Sequence, residues 1–210
     1  MQRRRGPDGR DAGAESTDQM DKIIFFFQRK PGTTRESFYD HYLEDHAPLG
    51  LRVTVTMAGY TVNLVDSDSE VDAVTEIWTA SMADFFDPSK SFATEEDAKT
   101  LMTDHDSFIG PYDAYAVEET IVQGSVPDAP IGERAARVKV FVRYADAATI
   151  PAPPADAVCV VDQRVVQSFM PGSPELELVR TMWFDDAGQA ADRFADALVT
   201  REYRQLAPVG

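Results

Sequence analysis

Cysteine is almost missing from this chain. Cys159 is the only one in 210 residues, so no disulfide can form within the chain and folding must rest on packing. Its neighbours Val158 and Val160 mark an apolar strand, where a thiol is inert and buried. A reducing, cytoplasmic setting is expected. Long apolar runs are absent too, and nothing approaches the roughly 20 residues that cross a bilayer. Positive charge is scarce: 20 Lys and Arg stand against 36 Asp and Glu, a formal net charge of −16. Such a field repels nucleic acid and anionic membrane, so neither is expected as a partner. No Gly-rich phosphate loop, Ser-nucleophile motif, dinucleotide fingerprint or zinc-type His/Cys spacing occurs. No cofactor and no metal site are therefore expected. Histidine is rare, with three in the chain, and its placement is correspondingly informative.

What is present orders itself readily. Residues 1–20, including Gln2–Arg5 and Gly6–Arg10, are charged and lack large apolar groups, so they read as a disordered tail, with Met20 an alternative start. Ile23–Phe27 is a short buried strand. Pro31–Gly32 turns the chain, and Thr33 or Thr34 caps a helix. Strands follow over 59–65 and 72–79. A helical region over 82–109 is broken at Pro88 and restarts at Thr94, with Asp97 completing a capping pattern. Tyr112–Gln123 is a fourth strand. The order β-α-β-β-α-β is that of a ferredoxin-like unit. After a linker at 124–135, strands over 138–144, 158–169 and 176–184 and a helix over 187–206 repeat part of it. The first helix of the repeat is replaced by a proline-rich stretch ending at Pro154. The expected units are a tail (1–20), a first domain (21–123), a linker (124–135) and a degenerate second repeat (136–210).

The segment Ser37–Leu49 holds two of the three histidines. Helical spacing puts Phe38, Tyr42, Asp45, His46 and Leu49 on one face, and Pro48 ends the helix. That face points inward and carries His46, a proton-transfer candidate near neutral pH, into apolar surroundings. The plainer alternative is a buried structural histidine. His41, on another face, pairs with Asp45 at i+4 on the surface. His105, between Asp104 and Asp106, is either a second acid/base or part of a solvated charge run.

These pieces resemble the EthD family of dimeric α+β barrel proteins over residues 22–122. The resemblance is carried by Lys30–Phe38, Tyr42–Leu49, Glu76–Trp78 and Asp104–Ile109. It implies a ferredoxin-like sheet packed face to face on a second sheet, with helices outside and a ligand cavity between sheet and helices. Together with the repeated strand order, the expected fold is α+β, tandem ferredoxin-like repeats forming a pseudo-dimer of the dimeric α+β barrel type. The chain is then a monomer or a homodimer. The family and its neighbours include polyketide cyclases, cofactor-free monooxygenases, decarboxylase-like enzymes and accessory proteins of oxidative degradation. The family's characteristic histidine falls on His46. Tyr42 stands where the family more often has tryptophan.

The leading expectation is a cofactor-free lyase or cyclase acting on a hydrophobic aromatic or polyketide-like molecule. His46 is the general acid/base and Tyr42 a second catalytic group. Phe38, Tyr60, Asn63, Glu76, Trp78 and His105 are candidate substrate contacts, although alternation alone does not say which strand face lines the cavity. A non-catalytic binding or accessory protein, or a cofactor-free monooxygenase, are the alternatives.

Overall fold

The computed structural model describes residues 20–186, 194 and 196–208. The tail expected over 1–20 falls almost wholly outside them. Eight strands form one closed antiparallel barrel in the order β1-β3-β2-β8-β5-β7-β6-β4. They are β1 (Asp21–Arg29), β2 (Met57–Val65), β3 (Ala73–Thr79), β4 (Ile109–Gly124), β5 (Arg134–Tyr144), β6 (Cys159–Ser168), β7 (Leu178–Phe184) and β8 (Leu198–Leu206). Closure leaves no free edge to pair with another chain. The strand order within β1–β4 is repeated within β5–β8, and the seams between the halves are β2 with β8 and β4 with β6.

One expectation fails here. The helix expected over 187–206 is a strand over Leu198–Leu206, while 187–193 and 195 lie outside the described residues. The local residues include good helix formers, but β8 supplies the pairing that joins β2 to β5. Tertiary pairing outweighs a propensity difference of a few tenths of a kcal/mol per residue, of the order tabulated for helix formers.

Among the described residues, the helices lie almost entirely on the first half. They are α1 (Arg35–His41), a π-helical turn (Tyr42–His46), α2 (Ala47–Val53), α3 (Met82–Phe85), α4 (Pro88–Ser91) and α5 (Glu95–Phe108). Thr34 caps α1 by accepting from the Ser37 N–H, and Thr94 caps α5 by accepting from the Asp97 N–H. The helix does not stop before Pro48, as its sequence suggests, but continues. In the π-helical turn the Ala47 N–H reaches back to the Tyr42 carbonyl, five residues away. Pro48 then falls at the start of α2, directly after the π-helical turn. Arg35 anchors the start of α1 on Asp72 and the Ser67 and Ser69 carbonyls. Tyr39 fixes its far side by donating to the Val65 carbonyl.

Alternation splits each strand of the first half between two interiors. Ile23, Phe25, Phe27, Tyr60, Val62, Leu64 and Ile77 pack under the helices. Lys22, Asn63 and Glu76 point into the barrel lumen. There Lys22 Nζ is 2.7 Å from Glu76 and 2.6 Å from Glu119, and Lys139 also bonds Glu76. Burial pushes the Glu76 carboxyl up, but Lys139 and Lys22 outweigh it, and its pKa ends well below the carboxylate range.

Candidate active site

A cavity of about 280 Å³ lies between the first half of the barrel and its helices. Phe25, Phe27, Tyr60, Thr75, Ile77 and Tyr112 form its floor, and Tyr42, His46, Phe85, Phe86, Leu101 and His105 its walls. It is aromatic and largely apolar, with a few polar groups set among the rings. That is the usual makeup of a small-molecule site.

His46 is held by geometry that begins in the backbone. Phe38, Tyr42 and His46 are four residues apart and form a column. Tyr42 stacks on Phe38 at 5.6 Å and on His46 at 5.2 Å between ring centroids. The π-helical turn adds a second alignment, because residues five apart come onto one side of it. His41 and His46 thereby reach the same carboxylate on α5. Asp104 Oδ2 is 2.7 Å from His46 Nδ1, and Asp104 Oδ1 is 2.8 Å from His41 Nε2. His41 Nδ1 lies 3.2 Å from Asp45, which is 68 % exposed. Asp104 therefore takes the Nδ1–H of His46 and leaves Nε2 as the ring nitrogen available to the cavity. Burial lowers the His46 pKa below the ordinary histidine value, and its hydrogen bond to Asp104 opposes this without cancelling it. A neutral imidazole oriented by a carboxylate is a general base.

Around it sit neutral phenols. Tyr42 Oη is 2.5 Å from Thr75 Oγ1, and Tyr60 lines the same cavity beside it. Burial pushes Tyr42 up to about 12, and Tyr60 well above its ordinary value. Both are hydrogen-bonding groups, not bases. His105 contacts Phe27 and Tyr112 at 5.7 and 5.4 Å and lies 5.9 Å from His46, ring to ring. Burial, with His46 nearby, lowers its pKa to about 4.

Of the residues singled out from sequence, His46, Tyr42, Tyr60 and His105 line the cavity together. The other four do not. Phe38 is fully buried behind Tyr42 and Phe108. Asn63, Glu76 and Trp78 sit on the opposite strand face, tied into the lumen network through Glu76 and Glu119. The strand register decides this: Thr75 and Ile77 face the cavity, so Glu76 between them cannot. His41 is not the simple surface pair expected, since it also holds Asp104. Sequence pattern alone does not pick out Asp104 or Thr75. In the sequence Asp104 is one more charge in an acidic run, and only the π-helical turn gives it two histidine partners. Among the described residues, no group of three or more His, Cys, Asp or Glu is arranged to hold a metal ion.

Residues 30–111 match the family model of the EthD domain. This segment resembles the EthD domain. It contains α1 through α5, His41, His46, Asp104 and His105, and so every helical wall of the cavity. No curated protein matches the chain in sequence. Among solved structures, an anthrone oxidase-like protein superposes with a TM-score of 0.59 at 11 % identity, covering 93 % of this chain and 98 % of that one. A candidate monooxygenase of Fusobacterium nucleatum subsp. nucleatum gives 0.46 at 10 % identity, over 89 % and 92 %. One of Lactobacillus acidophilus gives 0.44 at 9 %, over 91 % and 97 %. At these identities the likeness speaks to the fold. The first places 93 % of this chain, first and second halves together, within one known architecture.

Proposed function

We propose that the protein is an oxidative enzyme that removes a proton from an aromatic small molecule and lets dioxygen take up the resulting carbanion. The observation that carries this is His46. Its Nδ1 is bound to Asp104, and its ring lines a cavity walled by aromatic rings. In the reading offered here, His46 Nε2 takes a proton from an acidic methylene of the substrate. The electron pair delocalises into the aromatic system, and the dry cavity favours that spread charge over a localised one. The carbanion reduces dioxygen to a carbon-bound peroxide, which is protonated and loses water to leave a carbonyl. One methylene and one dioxygen thus give one carbonyl and one water, with dioxygen the sole oxidant. The EthD resemblance and the name of the anthrone oxidase-like structure support an oxidative outcome over cyclisation or dehydration, which would begin with the same proton abstraction.

We also read β1–β4 and β5–β8 as two ferredoxin-like repeats, a one-chain counterpart of a dimeric α+β barrel. Their shared strand order supports this, as do the equivalent positions of Lys22 and Lys139 and of Trp78 and Trp183 in paired strands.

The test uses anthrone as an aromatic substrate with an acidic methylene. The wild-type protein is expected to take up one dioxygen per anthrone and to release the quinone, and without air to exchange the methylene protons in heavy water. His46→Gln should lose both reactions. Absence of exchange and of oxygen uptake in the wild type, with anthrone bound, would overturn the reading.

A further inference from the structure

Among the described residues, a few buried polar atoms have no hydrogen-bond partner. Asn63 Oδ1, Gln163 Oε1 and Thr181 Oγ1 belong to the lumen, but His105 Nε2 belongs to a residue that lines the cavity. An unmade hydrogen bond is costly where a group is cut off from water. On a cavity wall, the cavity's occupant can supply the partner. No hydrogen-bond partner for this nitrogen lies within the ring cluster around it. The neighbouring rings of Phe27 and Tyr112 meet His105 edge to face, and His46 is committed to Asp104.

We propose that His105 donates its Nε2–H to a carbonyl oxygen of the substrate, which makes the substrate an aromatic ketone whose acidic C–H is conjugated to that carbonyl. The inference rests on the reading of this cavity as a proton-abstracting site. The two histidines then divide the work. His46 Nε2 accepts the proton from carbon, and the C–H electron pair moves through the conjugated system onto the carbonyl oxygen. His105 holds the oxygen as charge builds there. The donor has to be a neutral imidazole, because an imidazolium would hand its proton over and compete with the base. The apolar rings around His105 and the neighbouring His46 both disfavour its charged form. A neutral histidine polarising a carbonyl is an established division of labour with a separate base. Tyr42 is already engaged with Thr75, so it offers the oxygen less.

The probes are fluorenone, an aromatic ketone with no C–H to lose, and fluorene, its carbonyl-free counterpart, with anthrone as the reactant. The wild-type chain should bind fluorenone about tenfold more tightly than fluorene, a ratio in keeping with one buried hydrogen bond. In His105→Phe the fluorene affinity should stay as it is and the preference should vanish. Its kcat on anthrone should fall about 100-fold, the low end for losing one oxyanion donor. His105→Gln, which keeps an N–H donor, should recover part of both. In the wild-type protein, saturation with fluorenone but not fluorene should shift the nitrogen NMR resonance of His105 Nε2, a readout that needs no variant. An undiminished fluorenone preference in His105→Phe, or an unmoved His105 resonance, overturns the assignment of His105 while anthrone exchange still reports on His46. A wild-type protein that binds neither probe nor exchanges anthrone protons removes the parent reading and this one together.

Discussion

In the first half, Lys22 Nζ sits 4.3 Å from the ring centroid of Trp78 and bonds Glu119. In the second, Lys139 Nζ sits 4.8 Å from the ring of Trp183 and faces Glu202 at 3.7 Å. Trp78 donates to Glu119 and Trp183 to Glu202. Asn63 and Gln163 stand across from Val74 and Val179 in matching registers. The match breaks at one pair. Glu76 on β3 is a carboxylate that serves both lysines, while its counterpart on β7, opposite Phe141 as Glu76 is opposite Ile24, is Thr181. A second central carboxylate would bury another negative charge with no lysine left to meet it, and Thr181 avoids that. Outside the barrel the halves part company. The first half is covered by helices that leave a cavity. The second packs Val140, Val142, Val160, Met182 and Phe184 into a cluster of its own, joined by Ala157 from the connection between β5 and β6. The lumen holds the two halves alike, and the outer face is where they were free to differ.

Cutting that comparison apart gives the largest expected effect. Removing residues 133–210 takes β8 from β2 and β6 from β4, exposing two long strand edges and the lumen charges. The fragment should precipitate or pair with a second copy. Sedimentation showing a soluble, well-folded monomer would mean that the halves are independent. Next comes the asymmetric lumen pair. Glu76→Leu leaves two buried lysines short of a partner and should cost about 3–5 kcal/mol in urea unfolding. Thr181→Val removes an unpartnered hydroxyl and should change stability by less than about 1 kcal/mol. Equal losses would show that the two sites are not the unequal counterparts described here. Because the folded-state pKa of Glu76 is depressed, its contribution is present above the ordinary carboxylate pKa and fades as pH falls below it. Acid should therefore narrow the gap between the wild type and a Glu76→Gln variant.

The first half is legible in the residues because its elements are local. A short continuous apolar run marks β1, alternation marks β3, Thr34 and Thr94 announce the helix starts, and the spacing of Phe38, Tyr42 and His46 places the histidine inward. Three things are not legible. The face of each strand depends on register, so Asn63, Glu76 and Trp78 cannot be told from cavity contacts. The π-helical turn replaces a spacing of four by one of five, and a reading at 3.6 residues per turn separates His41 from His46 where the fold joins them through Asp104. Strand β8 exists because β2 and β5 both need a neighbour, and no pattern within Leu198–Leu206 carries that demand.

The catalytic comparison is smaller in energy than these but sharper. His46→Ala should lower turnover by roughly two to four orders of magnitude with the fold intact. Val142→Ala, in the outer cluster of the second half, should leave turnover per folded molecule unchanged. Loss of turnover in Val142→Ala would show that the second half shapes the site. The pH profile adds a signed test. With its pKa lowered by burial, His46 stays neutral below the ordinary histidine value of about 6.5, so the acid limb of kcat/KM should lie below it. Asp104 is what holds that pKa up against burial. Asp104→Asn should thus move the limb to still lower pH while reducing the rate, and a limb moving upward would contradict the arrangement.

The smallest expected effect is an integer. The cavity is built where helices stand off the sheet. There α1, the π-helical turn and α5 pack through the rings of Phe38, Tyr42, His46 and Phe108, and Thr75, Tyr60 and His46 line the open centre. The second half has no helix after its first strand. A three-residue 3-10 turn, Ala147–Thr149, and a proline-rich connection take that place. Its outer face is filled by its own aliphatic side chains, and it contributes Phe169 as a brace, 4.4 Å ring to ring from Phe86 on the wall of the first-half cavity. Two counterpart faces should therefore yield one binding event. Calorimetric titration with fluorenone should saturate at one per chain, and His46→Gln, which leaves the walls standing, should keep that stoichiometry. Saturation at two would mean that the second half opens a cavity of its own, and the functional division between the halves would fall.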